Sequence, residues 1–302
     1  MVDCFAGKFA GVIAIDKNMC YIDPPASLPA EFSEENLMDL TLPLFPAPGR
    51  SVDAEKIGFR FGAKGTHTSR TMMLNELSAA FAAVPEHGSR GEFASAIIEG
   101  NCSGKATAAT RRLTNQRLSE LYALDREVPI YRVLRNLWSL DEPGRPLLAL
   151  LCAIARDPLL AATAAAVVSL TPGSDLQRDR IAAGLREMVG DRLSEATIEK
   201  VIRNASSSWA QSGHLVGRTF KKRVQVRATP ATSTFGLYLG YAAGFRGPQL
   251  FSSGWMRVLD CTPTSARDMA VEAKRIGLID LRVSGEIVDL VLDRLDPLAK
   301  RS

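Results

Sequence analysis

Ser194-Glu-Ala-Thr-Ile-Glu-Lys-Val-Ile-Arg-Asn-Ala-Ser-Ser-Ser-Trp-Ala-Gln211, followed by Ser-Gly-His-Leu-Val-Gly-Arg-Thr-Phe-Lys-Lys-Arg-Val-Gln-Val-Arg227, is the stretch on which the fold class turns. Ile198, Val201, Ile202, Ala205 and Trp209 recur at helical spacing, so 194–211 reads as an amphipathic helix that ends at Ser212-Gly213. Beyond it, polar and apolar residues alternate over Arg223-Val-Gln-Val-Arg227 as in a strand, after a loop carrying Arg218, Lys221 and Lys222. Upstream, Thr171-Pro-Gly-Ser174 breaks the chain and leads into another helix, Asp175 to Val189. Two helices followed by a hairpin with a basic tip is the order of a winged helix-turn-helix.

The theme returns at the C-terminal end. Thr262-Pro-Thr-Ser265 starts a helix through Ile276, with Ala266, Met269, Ala270, Ala273 and Ile276 inward and Gly277 as its stop. Strands at 278–283 and 286–292 follow, joined by Ser284-Gly285. Near that tip Arg282 faces Asp280, Glu286 and Asp289, a balance suited to packing or dimerisation rather than to nucleic acid. In the other direction, helical periodicity predicts helices over 69–84, 91–98, 105–124, 129–140, 145–156 and 158–168. The most apolar run, Leu147 to Leu170, breaks at Arg156-Asp-Pro158, short of the roughly 20 residues a membrane span needs. Residues 1–60 offer two short strands (12–15 and 19–22) and then closely spaced prolines, an irregular surface arm. The expected fold is therefore mainly α, a helical bundle with helix-turn-helix and winged-helix units and small β-hairpin wings. Its parts are an acidic Pro-rich N-terminal arm (1–60), a helical domain with a helix-turn-helix-like pair (61–170), a winged helix with a basic wing (171–230) and a C-terminal winged-helix-like unit (231–302).

The 302 residues are 46% apolar and 23% charged, which is a globular composition and excludes disorder of the whole chain. The formal charge of +4 is uneven, −4 over residues 1–60 and +8 over the rest, and permits a polyanion partner. Five scattered cysteines, without C-x-x-C and apart from the three histidines, read as reduced thiols. With no basic-then-apolar leader, the expected location is the cytoplasm. Phosphate-loop, dinucleotide-loop and nucleophile-elbow motifs are missing, so nothing argues for an enzyme, a cofactor or a metal. Glu195 and Glu199 lie one helical turn apart, but acids are ordinary at a helix start. His214 reads as a hairpin residue rather than a base.

Signals for binding are stronger. Arg218, Lys221, Lys222, Arg223 and Arg227 place five positive charges and no acid between His214 and Ala228, a tip able to lie along phosphates and release counterions. A merely solvated basic loop is the competing reading. The preceding helix offers Thr197, Lys200, Arg203, Asn204 and Ser207, residue types that reach phosphates and base edges. A second candidate is the helix 105–124, with Lys105, Thr107, Thr110, Arg111, Arg112, Thr114, Asn115 and Arg117, inside a segment (101–135) carrying a net +4. With 91–98 before it, this pair resembles a helix-turn-helix.

The same residues carry a family resemblance. Phe61-Gly-Ala-Lys-Gly65 leading into a helix, Ile97-Ile-Glu-Gly-Asn-Cys-Ser-Gly-Lys-Ala-Thr-Ala-Ala-Thr-Arg-Arg112, Leu193-Ser-Glu-Ala-Thr-Ile-Glu-Lys200 and Gln211-Ser-Gly-His-Leu215 resemble the BrxA family of BREX phage-defence systems over roughly 61–230. The arm at 1–60 and the extension from about 231 depart from that pattern. The resemblance implies a helical, non-enzymatic protein that binds double-stranded DNA and works with other defence proteins, including a methyltransferase and an ATPase. It assigns DNA contacts to Lys105, Thr107, Arg111 and Arg112 in the first unit, and to Thr197, Lys200 and the basic hairpin in the second. The expected function is DNA binding through phosphates, with no membrane partner. A winged-helix transcriptional regulator that reads base edges and a protein-interaction scaffold are the alternatives.

Overall fold

The computed structural model describes residues 42–46, 52–62, 64–284 and 287–296. The strands expected at 12–15 and 19–22, most of the 1–60 arm, and Gly285 and Glu286 of the last hairpin lie outside the described residues. All the described residues belong to one compact unit, Leu40–Ser302.

The first half is helical: α1 (Val52–Ile57), a 3-10 turn (Thr66–Thr68), α2 (Leu74–Ala83), α3 (Arg90–Ala94) running into a π-helical turn (Ser95–Glu99), and α4 (Ala108–Tyr122). Next come α5 (Pro129–Leu140), α6 (Arg145–Arg156), α7 (Pro158–Ala161) and α8 (Ala164–Val168). The basic hairpin follows its two helices: α9 (Arg178–Val189), α10 (Glu195–Gln211), β1 (Leu215–Val216) and β2 (Lys222–Arg223). The chain closes with α11 (Pro230–Ala243), α12 (Gln249–Ser252), α13 (Gly254–Arg257), α14 (Pro263–Arg275) and the antiparallel pair β3 (Asp280–Ser284) and β4 (Ile287–Val291). Among the described residues the protein is mainly helical, with two small two-stranded hairpins, as the sequence pattern predicts.

Two helices centre the main core. From Leu147 to Arg156 every residue of α6 is buried, because this helix is covered by α4, α5 and α11. Helix α11 is buried almost all round. Its start combines Pro230 in the first turn with a reciprocal cap between Thr229 and Thr232. One continuous apolar core runs from Ala54 to Leu295, while a smaller one joins α9 and α10 through Ile181, Leu185, Ile198, Val201 and Ile202. Leu147–Leu170 forms two helical stretches bent by 108°, and among the described residues no single helix is long and apolar enough to cross a membrane. Cys102, Cys152 and Cys261 are free thiols.

Several local expectations are corrected. Helix α2 begins at Leu74 rather than Ser69, because Met73 is left-handed (φ 57°) and Thr66 and His67 are committed to buried contacts. The predicted helix 158–168 splits where the Thr163 hydroxyl donates to the Leu160 carbonyl (2.7 Å) and accepts from the Trp209 indole (2.8 Å). The described end of the arm is no loose surface segment. Leu42–Pro46 lies on α13, with Gly254 and the Trp255 indole each donating to a Pro43 or Leu44 carbonyl at 2.8 Å, and Phe45, Phe59, Phe61 and Trp255 pack ring against ring. Ile276, expected inward, is 51% exposed: α14 stops at Arg275, Gly277 (φ 81°) turns the chain, and Ile279 fills the core instead. Ala266, Ala270 and Ala273 let α14 approach α11 closely, and a two-pronged Arg132–Asp296 pair (2.7 and 2.6 Å) ties the last described residues to α5.

Candidate nucleic-acid interface

Two short strands build the wing. β1 pairs with β2 in the register Leu215↔Arg223 and Val216↔Lys222. The segment before α9 runs beside β2 through one bridge, Asp175↔Lys222: Gly173 and Leu176 donate to the Arg223 and Lys221 carbonyls (2.8 and 2.7 Å), and Arg223 donates back to Ser174 (2.9 Å). Two helices and then a hairpin is the order that the sequence pattern predicts for this stretch, and the hairpin's second strand is bonded back to the segment before the first helix. The strand expected over 223–227 stops at Arg223. From there the backbone is held by other partners, with Val224 donating to His214 and Val226 to the Asp260 carboxylate.

That register sorts the basic run. Lys222 points out beside Val216, whereas Arg223 shares the inward side with Leu215 and is 2% exposed. Its guanidinium is ion-paired with Asp260 and donates to the Val167 carbonyl (3.1 Å). The expectation that Arg223 touches DNA is thus corrected; it anchors the root of the wing. Arg218, Lys222 and Arg227 are exposed, and Lys221 is half-buried with its Nζ 3.2 Å from the Gly217 carbonyl. Lys222 also lies 3.8 Å from Asp175, a surface pair of little energetic weight.

Helix α10 turns Ile198, Val201 and Ile202 toward α9 and leaves Lys200 and Arg203 exposed, neither in an ion pair among the described residues. Its two acids are neutralised from α9: Glu199 by Arg178 (2.6 Å) and Glu195 by Arg186 (2.8 Å). The Arg186 hydrogen bond holds the Glu195 carboxyl below its ordinary range. These carboxylates are therefore half of a charge lattice and not a vacant ligand pair. Thr197 is half-buried against the Ser194 hydroxyl (3.0 Å). Asn204, expected to face out, instead donates to the His67 carbonyl (2.8 Å).

The first unit keeps less free charge than its sequence promises. Lys105 is held by Glu76 (2.6 Å), Arg117 by Glu120 (2.7 Å), Arg126 by Glu127 (3.3 Å) and Arg132 by Asp296. Arg135 stacks on Phe81 (4.4 Å) and donates to the Phe81 and Val84 carbonyls. Of the seven bases in 101–135, only Arg111 and Arg112 escape such contacts among the described residues, and of the two only Arg112 is exposed. Thr107 is exposed but occupied as the α4 cap, accepting from Thr110 (3.2 Å), and Asn115 is half-buried. No described hydrogen bond or ion pair joins this half of α4 to the hairpin.

Two histidines are buried, and of them His67 is the one the sequence does not single out, since nothing in its neighbours marks it. His67 Nδ1 lies 2.7 Å from Asp157 and its Nε2 2.8 Å from the Ser208 hydroxyl, the spacing of a nucleophilic triad. All three are at most 1% exposed, and the Ser208 oxygen already accepts from Met72 N–H (2.8 Å), so the cluster acts as a buried polar brace between the 3-10 turn, α7 and α10. Asp157 completes it by capping α7 through Leu159 and Leu160. His214 is fully buried at the wing root. Its Nε2 donates to the Val258 carbonyl (2.7 Å), its Nδ1 meets Ser212 (2.8 Å), and its ring stands edge-on to Trp209. Burial foremost, with Arg223 nearby, pushes its pKa down to about 4.

No protein-family model matches the chain, and no curated protein matches it significantly.

Proposed function

We propose that the protein binds double-stranded DNA mainly through its phosphates, as a non-enzymatic cytoplasmic component of a BREX-type phage-defence system. One observation supports the DNA reading: Arg218 and Lys222 on the wing, Arg227 after it, and Lys200 and Arg203 on α10 are exposed, with half-buried Lys221 between the first two, while the α10 acids Glu195 and Glu199 are already paired with arginines of α9. Phosphates would replace water around these cations and release counterions. Arg112 supplies a further exposed cation on α4. The defence role rests on the BrxA-like motifs between Phe61 and Leu215, and a methyltransferase and a large ATPase encoded alongside would support it.

The test is fluorescence anisotropy of the full chain on unrelated duplexes over a salt series. Affinity should fall steeply with salt and differ little between sequences. Arg218→Ala, Lys221→Ala and Lys222→Ala together should lower the salt slope by about 0.9 for each phosphate that is no longer neutralised. An unchanged slope removes the wing from the reading, and strong preference for one sequence turns it toward a transcriptional regulator. A scaffold role has one observation of its own: Ile276, Val283 and Ile287 are at least half exposed around the C-terminal hairpin. Failure to bind DNA even at low salt would favour it.

A further inference from the structure

Phe220 is 81% exposed, more than any other large apolar side chain among the described residues. It does not sit on a loose loop. The turn is closed at its base by the Val216↔Lys222 pair and by the 173–176 segment bonded to Lys221 and Arg223. Gly217, at φ 108°, makes the tight bend possible, because a side chain there would run into the Phe220 carbonyl. The fold therefore holds an aromatic ring out in water at the apex of a hairpin, with Arg218, Lys221 and Lys222 within two residues of it and no acid between His214 and Ala228. A purely electrostatic wing has no use for that ring. Duplex DNA matches the combination, with anions at regular spacing and, between stacked base pairs, apolar faces that a wedge reaches by partly unstacking them.

We propose that Phe220 is a wedge: the wing tip enters the minor groove and the ring inserts at a flexible base step, partly unstacking it and bending the duplex, while the neighbouring cations hold the flanking phosphates. This rests on the DNA-binding reading and adds to it a preference that phosphate contacts alone cannot give. Sites with easily unstacked pyrimidine–purine steps, mismatches or pre-bent geometry become favoured, although no base edge is read.

The experiment uses the full chain and a duplex with 2-aminopurine at a central TA step, with a fluorophore pair at its ends to report bending. The wild-type protein should raise the 2-aminopurine signal and shorten the end-to-end distance. Phe220→Ala should abolish both, should weaken binding to a mismatched TA duplex about tenfold, and should leave the salt slope intact. Phe220→Trp should restore the signal and the bend. Because the side chain is exposed, both variants should match the wild-type circular dichroism. If Phe220→Ala binds and bends as the wild type does, the wedge is wrong while DNA binding stands. If the wild type binds no duplex at low salt, the DNA reading itself fails and the wedge with it. If Phe220 instead governs binding to phosphatidylserine vesicles in preference to duplex, the tip is a lipid contact and the proposal is overturned.

Discussion

Acidification should loosen the wing root through His214. The neutral ring donates from Nε2 to the Val258 carbonyl and packs against Trp209, while Arg223 and Asp260 are the charged groups near it. Its pKa falls from an ordinary 6.5 to about 4 in the folded chain. The unfolded chain therefore takes up a proton near pH 6.5 that the folded chain refuses until about pH 4. Stability from this group is complete above 6.5, drains away as the pH falls toward 4, and changes no further below that. A shift of this size corresponds to about 3 kcal/mol at full effect, of which about 2 kcal/mol is gone by pH 5, before most carboxylates titrate. Urea unfolding at pH 7.5, 6.5, 5.5 and 5.0 measures it. His214→Gln, which keeps a donor for Val258, should be less stable at pH 7.5 but should lose about 2 kcal/mol less than the wild type on going to pH 5. Equal losses in the two proteins would show that the ring is not the group being titrated, and the argument from burial would fail.

Arg223→Ala should destabilise the fold by about 3–5 kcal/mol, because it strands the Asp260 carboxylate in the interior, and Asp260→Asn in the same chain should recover part of that loss in chemical denaturation. A chain ending at Thr229 should lose cooperative thermal unfolding by circular dichroism. It gives up Phe235, Leu237, Leu239, Phe251 and Trp255, all at most 1% exposed, at roughly 1.5–3 kcal/mol each against a total stability of about 5–15 kcal/mol. A sharp transition in that truncated chain would mean that the first 229 residues hold a core of their own.

Amphipathic elements were legible in the sequence, and so was buried α6, predicted at 145–156 and found at Arg145–Arg156, whereas α11 was not. α5 is found at its true ends, Pro129 and Leu140, because a helix with one wet side writes its period into the sequence. α11 has no wet side. Residues Ala231 through Gly240 are all buried, so apolar and small residues occur at every phase, and Gly236 and Gly240 lower the helix propensity further. Those glycines face Met256, Leu259, Leu250 and Trp255, so close approach of neighbours, a tertiary fact, is what selects them. This helix, packed on α1, α5, α6 and α14, was thus one that the pattern could not announce.

The basic wing was legible as a charge cluster but not as a set of roles, because role depends on strand register. Period-two alternation says that Lys222 and Arg223 face opposite ways; it does not say which one faces in. Pairing Leu215 with Arg223 decides it, and Asp260, 37 residues further on, makes the inward choice tolerable. The same holds for α4, where Glu76 and Asp296 neutralise Lys105 and Arg132 from distant parts of the chain. Counting charges over a window treats every base as available, whereas folding divides them between structure and surface. What remains on the wing after that division is exposed Arg218 and Lys222 and half-buried Lys221 close to one exposed ring. Net charge measures only the cations, and the ring is what would make the wing discriminate between a stiff duplex and one that bends.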